Sequence, residues 1–164
     1  MRNENNNDVF SDLIGQEIAI NILKSSINKN QISPAYIFCG PEGVGRKKAA
    51  LKFFEGIINQ GSFTNKNRHK INSFNHPDLL LIEATYLYQG NLISKSQAEK
   101  ENLEIRSSPQ IRLEQIKEVK RFIGKKPINA NIQMVLIDDL DLINESAANA
   151  LLKTIEEPSS GTIV

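Results

Sequence analysis

The stretch "AYIFCGPEGVGRKKAALKFF", residues 35–54, constrains what this chain can fold into more than any other. A short apolar run enters a glycine loop, and the loop opens a segment whose Ala49, Ala50, Phe53, Phe54, Ile57 and Ile58 fall on one helical face. That order predicts strand, loop, helix. The backbone N–H groups of such a loop converge on one point and the helix dipole reinforces them, so the loop cradles phosphates without needing any particular side chain. Gly40 and Gly45, with Gly43 between them, satisfy the glycine positions of the pattern G-x-x-x-x-G-K-[ST]. Arg46 stands where lysine belongs, and Lys47 stands where serine or threonine belongs.

The rest of the chain alternates in the same way. Residues 1–8 are polar and Asn-rich and predict a loose tail. Ile18, Ile22, Leu23 and Ile27 recur at helical spacing and predict a helix over 16–28. "LLLIEA" reads as a buried strand, and "QMVLIDDLD" as an apolar strand that ends in acids. Between them "IRLEQIKEVKRFIGKKP" places Leu113, Ile116, Val119, Lys120 and Ile123 on one side of a helix, with Gly124 as its stop and Pro127 beyond. Asn144 is placed to cap a further helix with the stripe Ala147, Ala148, Leu151, Leu152 and Ile155, ended by Pro158; "GTIV" begins another strand. Two polar stretches, near 59–78 and 85–110, lack apolar periodicity and are expected as insertions at the sheet edge.

Apolar strands alternating with helices predict an α/β domain over 9–164, with a parallel sheet covered by helices on both faces. In such sheets ligands gather beyond the carboxyl ends of the strands. One strand end delivers the glycine loop and another delivers Asp138 and Asp139. An acid there holds a phosphate-bound magnesium, and its neighbour orients the attacking water. Loop and acid pair together make the P-loop nucleotide-binding arrangement.

Composition narrows the reading further. A net charge of +1 gives no global reason to bind nucleic acid or a membrane surface. The single cysteine, Cys39, excludes an internal disulfide and sits in an apolar run where a buried thiol is ordinary. No stretch approaches about 18 apolar residues and the start has no signal core, so a cytoplasmic protein is expected.

Several segments carry a resemblance: "FSDLIGQEIAINILKSSI", "HPDLLLIE", "IRLEQIKEVKRFIGKKP" and above all "LIDDLDLINESAANALLKTIEEPSSGTIV". Over about residues 10–164 the chain resembles the bacterial clamp-loader AAA+ subunits of DNA polymerase III, and within them the δ′ branch more than the τ/γ branch. The resemblance implies a P-loop NTPase (AAA+) sheet in the order 5-1-4-3-2. It also implies a chain truncated before the last strand, the Ser-Arg-Cys arginine, the lid and the collar. The implied partners are the τ/γ and δ subunits in a hetero-oligomer, and indirectly the sliding clamp and primed DNA. Intact loops belong to the τ/γ motors, and degraded loops to δ′.

The substitutions weigh against hydrolysis. Arginine at 46 keeps the charge but replaces a compact ammonium with a broad planar fork. Lys47 removes the hydroxyl ligand of magnesium. Two unit charges about 4 Å apart at an effective dielectric of about 20 repel by about 4 kcal/mol, and a divalent ion doubles this unless the lysine swings away. The swing is expected, with the metal left unsupported. Asp139 stands where active relatives carry glutamate, and a misplacement of about 1 Å can cost about 10²-fold in rate. The expected site is therefore a degenerate phosphate loop, Gly40, Gly43, Gly45, Arg46 and Lys47, with Asp138 and Asp139 as a vestigial acid pair. No catalytic or metal-ligating residue is assigned. No cofactor is expected beyond weakly held nucleotide or anion, and no zinc at His69 and His76, which lack cysteine neighbours. Lys120, Arg121, Lys125 and Lys126 read as a solvated face, and Phe53 and Phe54 as core. The alternatives are an active τ/γ-type ATPase and an unrelated P-loop phosphotransferase.

Overall fold

The computed structural model describes residues 8–60 and 65–164. Residues 1–7 of the expected tail, and 61–64 of the first polar stretch, lie outside the described residues. Asp8 is not loose. Its carboxylate accepts from Lys24 Nζ at 2.6 Å and from the Phe10 N–H at 3.1 Å, and Val9 and Phe10, which follow it, are buried.

Helix α1 (Glu17–Asn28) and helix α2 (Arg46–Ile58) pack together. Phe53 and Phe54 on α2 are fully buried, each worth roughly 2–3 kcal/mol of apolar burial. The inner face of α1 is Ile20, Leu23 and Ile27. Ile18 and Ile22, read from spacing as part of the helical pattern, lie on the outer side, 81% and 59% exposed.

The first polar stretch contains a helix after all, α3 (Asn65–Asn72). It has no apolar stripe because it is held by one buried side chain, Ile71, and by Arg68, which reaches Asp12 and Glu55. Strand β1 (Leu79–Ile82) follows. The second polar stretch is ordered too: strands β2 (Thr85–Tyr88) and β3 (Asn91–Ser94) form an antiparallel hairpin, and helix α4 (Lys95–Lys100) follows at once. Its turn residues Gln89 and Gly90 both have positive φ, 50° and 80°, the geometry of a two-residue hairpin turn.

Helix α5 (Leu113–Ile123) ends at Gly124 as the sequence suggests, but Lys120 is exposed and is no part of its buried face. Strand β4 (Gln133–Ile137) leads through a 3-10 turn (Leu140–Leu142) to helix α6 (Glu145–Glu156). Asn144 caps α6 by accepting the Ala147 N–H at 2.9 Å. Leu152 points outward, 56% exposed, so the buried stripe runs through Ala147 and Leu151. Strand β5 (Thr162–Ile163) ends the sheet.

β1, β4 and β5 form a parallel sheet in the order β1-β4-β5. Strand alternation sends Leu79, Met134 and Leu136 toward α2 and α3, and Leu80, Ile82, Val135 and Ile137 toward α5 and α6. Helices therefore cover both faces. The apolar run before the glycine loop is extended but carries no regular strand ladder. Two main-chain bonds tie it beside β5: the Tyr36 N–H donates to the Val164 carbonyl and the Val164 N–H to the Pro34 carbonyl, each at 2.9 Å. The resulting sequence of neighbours, this segment, β5, β4, β1, is four consecutive places of the order the resemblance implies. Because the segment stands at the sheet margin, Ile37 is 78% exposed and Cys39 is exposed as well, not buried. Among the described residues no helix is long and apolar enough to cross a membrane.

Candidate phosphate-loop site

The glycine loop joins the extended segment to α2. Gly43 and Gly45 adopt φ of 79° and 94°, which L side chains rarely hold. Gly40 opens the loop against Val44, whose Cγ1 would lie 3.1 Å from an added Cβ. Gly45 caps α2, so Arg46 and Lys47 occupy the helix's first two positions. A cavity of about 570 Å³ lies against them, lined also by Asp12, Lys52, Phe74 and Asp138. Arg46 faces it and makes no ion pair or hydrogen bond among the described residues.

Lys47 reaches the acids at the strand ends. Its Nζ lies 2.9 Å from Asp138 Oδ2 and 3.2 Å from Glu83 Oε1, and 4.9 Å from the centre of the Phe74 ring. The reason is the sheet register. Ile82 pairs with Ile137, so the residues that follow, Glu83 and Asp138, leave adjacent parallel strands side by side and present two carboxylates to one ammonium. Burial works against the charge on Lys47, but the hydrogen bonds and charges of Asp138 and Glu83 outweigh it and hold its pKa above the ordinary 10.5.

Asp139 does not join Asp138 on the same partner. Its backbone is left-handed, φ 48° and ψ 56°, and its Oδ2 accepts from Lys95 Nζ at 2.7 Å. That hydrogen bond raises the Lys95 pKa above its ordinary value, against slight burial. Glu83 is held on its other side by Ser96, whose Oγ donates to Oε2 at 2.6 Å. Both acids of the anticipated pair are thus present at the carboxyl end of β4, but each already carries its own lysine. Glu83 is the site residue that sequence reasoning missed. Its signal was the acid ending "LLLIE", the same apolar-run-then-acid form as "VLID".

Deeper along α2, Lys52 and Glu55 form a buried pair at 3.2 Å. Asp12 Oδ2 lies 3.3, 3.6 and 3.5 Å from Lys48, Lys52 and Arg68. Burial alone would raise the Asp12 pKa, but the charges of Lys52 and Lys48 and a hydrogen bond from Lys48 bring it below the ordinary 3.8. His76 is buried edge-on against Phe54, and His69 is exposed on α3. Lys120, Arg121, Lys125 and Lys126 are exposed, with no ion pair among the described residues. Also among the described residues, no group of three His, Cys, Asp or Glu is arranged to hold a metal ion. One oxygen of each acid, Asp138 Oδ2 and Asp139 Oδ2, is taken by a lysine, which is a poor fit to a magnesium–nucleotide complex.

The family model described as "DNA polymerase III, delta subunit" matches residues 15–164. The delta′ subunit of Bacillus subtilis DNA polymerase III is 30% identical over 154 residues, covering 90% of this chain and 40% of that protein. The tau/gamma subunit of Haemophilus influenzae is 28% identical over 149 residues, 91% of this chain and 19% of that protein. The chain therefore spans between a fifth and two fifths of these relatives. A gamma subunit-related protein from Thermotoga maritima, solved by crystallography, shares the fold with a TM-score of 0.56 at 19% identity, over 87% of this chain and 36% of that one. The chain belongs to the DNA polymerase III clamp-loader family, which comprises the delta′ and tau/gamma subunits.

Proposed function

We propose that this chain is a δ′-like clamp-loader subunit, which helps load the sliding clamp onto primed DNA without hydrolysing ATP itself. It works in the cytoplasm within a hetero-oligomer of τ/γ and δ subunits. The observation that carries this reading is the Lys47 ammonium held by Asp138 and Glu83. In a working P-loop site a hydroxyl at that position and the acid share a magnesium ion, which bridges the transferring phosphates. Here a fixed monovalent charge stands on the acid, and Asp139 is committed to Lys95. The backbone cradle from Gly43 to Lys47 and the uncommitted Arg46 retain the means to hold an anion weakly. Asp138, Asp139 and the loop are therefore read as a site that keeps its architecture and has lost its reaction.

The competing reading is a τ/γ-type ATPase with an unusual loop, favoured by the 28% identity to the tau/gamma relative. Measuring ATP turnover and Mg·ATP affinity of the full-length protein, alone and with purified partner subunits, separates the two. The δ′-like reading expects no turnover by this subunit and at most weak binding. Turnover that survives when the partners' own loops are disabled would overturn it.

A further inference from the structure

Residues 84–111 are the part of the chain to which the phosphate-loop reading assigns no task, and they hold the acid end of that site. The base of the β2–β3 hairpin is fixed by main-chain bonds exchanged between Thr85 and Gln110, at 2.9 and 3.0 Å, and by the Lys95 N–H to the Ala84 carbonyl at 2.9 Å. Ser94 caps α4 through the Gln97 N–H at 3.2 Å, so Lys95 and Ser96 arrive on an ordered first turn. From there Lys95 reaches Asp139 and Ser96 reaches Glu83, at 2.7 and 2.6 Å. The chain leaving the insertion grips the far end of the same turn. The Ile111 N–H donates to the Leu142 carbonyl at 2.9 Å, and the Asn144 N–H donates to the Ile111 carbonyl at 3.1 Å. Between the two grips stands Asp139 in a left-handed conformation, φ 48°, which costs a non-glycine residue some energy, though aspartate less than most.

We propose that the hairpin and α4 form a strap that locks the 138–144 turn and the carboxylates of Glu83 and Asp139 in one arrangement, with Lys95 as the positioning residue. It deepens the reading of a subunit that does not hydrolyse nucleotide, and rests on it: a strapped Asp139 is unavailable to orient water, whatever occupies the glycine loop. The Lys95–Asp139 contact makes a second block that does not involve Lys47.

Hydrogen exchange by mass spectrometry on the full-length protein tests this, with Lys95→Met, Lys95→Arg, Ser96→Ala and, as control, Lys100→Met at an exposed α4 lysine. Lys95→Met is expected to speed exchange of the 138–144 amides about fivefold, Ser96→Ala less, Lys95→Arg to restore the wild-type rate and Lys100→Met to change nothing. Faster exchange confined to 85–100, or an equal effect from Lys100→Met, would overturn the strap. ATP turnover by the wild-type protein with slow 138–144 exchange would instead overturn the non-hydrolysing reading, and with it the strap's role as a block, and leave only its hold on the turn.

Discussion

Lys47 Nζ lies 2.9 Å from Asp138 Oδ2, joining the second residue of α2 to the end of β4. The same ammonium separates Asp138 from Glu83, 3.2 Å away on its other side. Removing it leaves two carboxylates facing each other at the ends of neighbouring strands. Lys47→Met is expected to cost about 1 kcal/mol, a modest figure because about a third of the lysine side chain meets solvent. Adding Glu83→Gln should recover part of that loss, since the residual repulsion goes with it. Urea unfolding of the two single variants and the double variant reads the coupling; strict additivity would show that Lys47 and Glu83 do not interact.

Asp78 holds a loop rather than a ligand. Fully buried ahead of β1, it accepts three backbone N–H groups, from Ile128 at 2.6 Å, Asn129 at 2.7 Å and Ala130 at 2.8 Å. Three charge-assisted bonds to one carboxylate fix the chain just before β4. Asp78→Asn turns a donor toward those donors and is expected to lower stability by about 2–3 kcal/mol, measured by chemical denaturation. A loss below about 0.5 kcal/mol would mean that the loop is held by something else.

The hairpin turn offers a test of local chemistry. Gly90 at φ 80° follows Gln89 at φ 50°. Gly90→Ala should destabilise by about 1 kcal/mol, and Gln89→Asn should stabilise by a few tenths, because asparagine tolerates the left-handed region better. Thermal unfolding checks both signs.

Much of the architecture was legible because apolar runs and helical stripes recur wherever an element packs by burial. β1, β4, α2 and α5 are of this kind, and so are the strand ends bearing Asp138 and Asp139. Elements held by other means were not legible. Helix α3 rests on one isoleucine and the charges of Arg68, and no periodicity records an ion pair. The hairpin was written in "TYLYQGNLIS", but Leu87 and Leu92 are exposed, which removes the contrast between its two faces. The pairing of Lys47 with Glu83 depends on strand register, and register is a property of the assembled sheet.

His76 is 2% exposed, packs against Phe54 and accepts the Asp78 N–H on Nδ1 at 3.2 Å, while its Nε2 has no hydrogen-bond partner among the described residues. Burial pushes its pKa below the ordinary 6.5; the Asp78 carboxylate opposes this, and the Lys70 charge assists it. The fold therefore prefers the neutral ring, and the unfolded chain binds the proton more readily. By linkage this contribution is complete above pH 6.5 and is lost as pH falls from there through the lower folded-state value. Asp12, whose pKa is depressed below 3.8, stays ionised through the upper part of that window and does not obscure it. The urea midpoint of the wild-type protein should fall between about pH 7.5 and pH 5.5. His76→Asn keeps an acceptor near the Asp78 N–H and removes the titrating ring, so its midpoint should vary less over the same interval even if its stability is lower throughout. Equal slopes in the two proteins would assign the pH dependence to other groups.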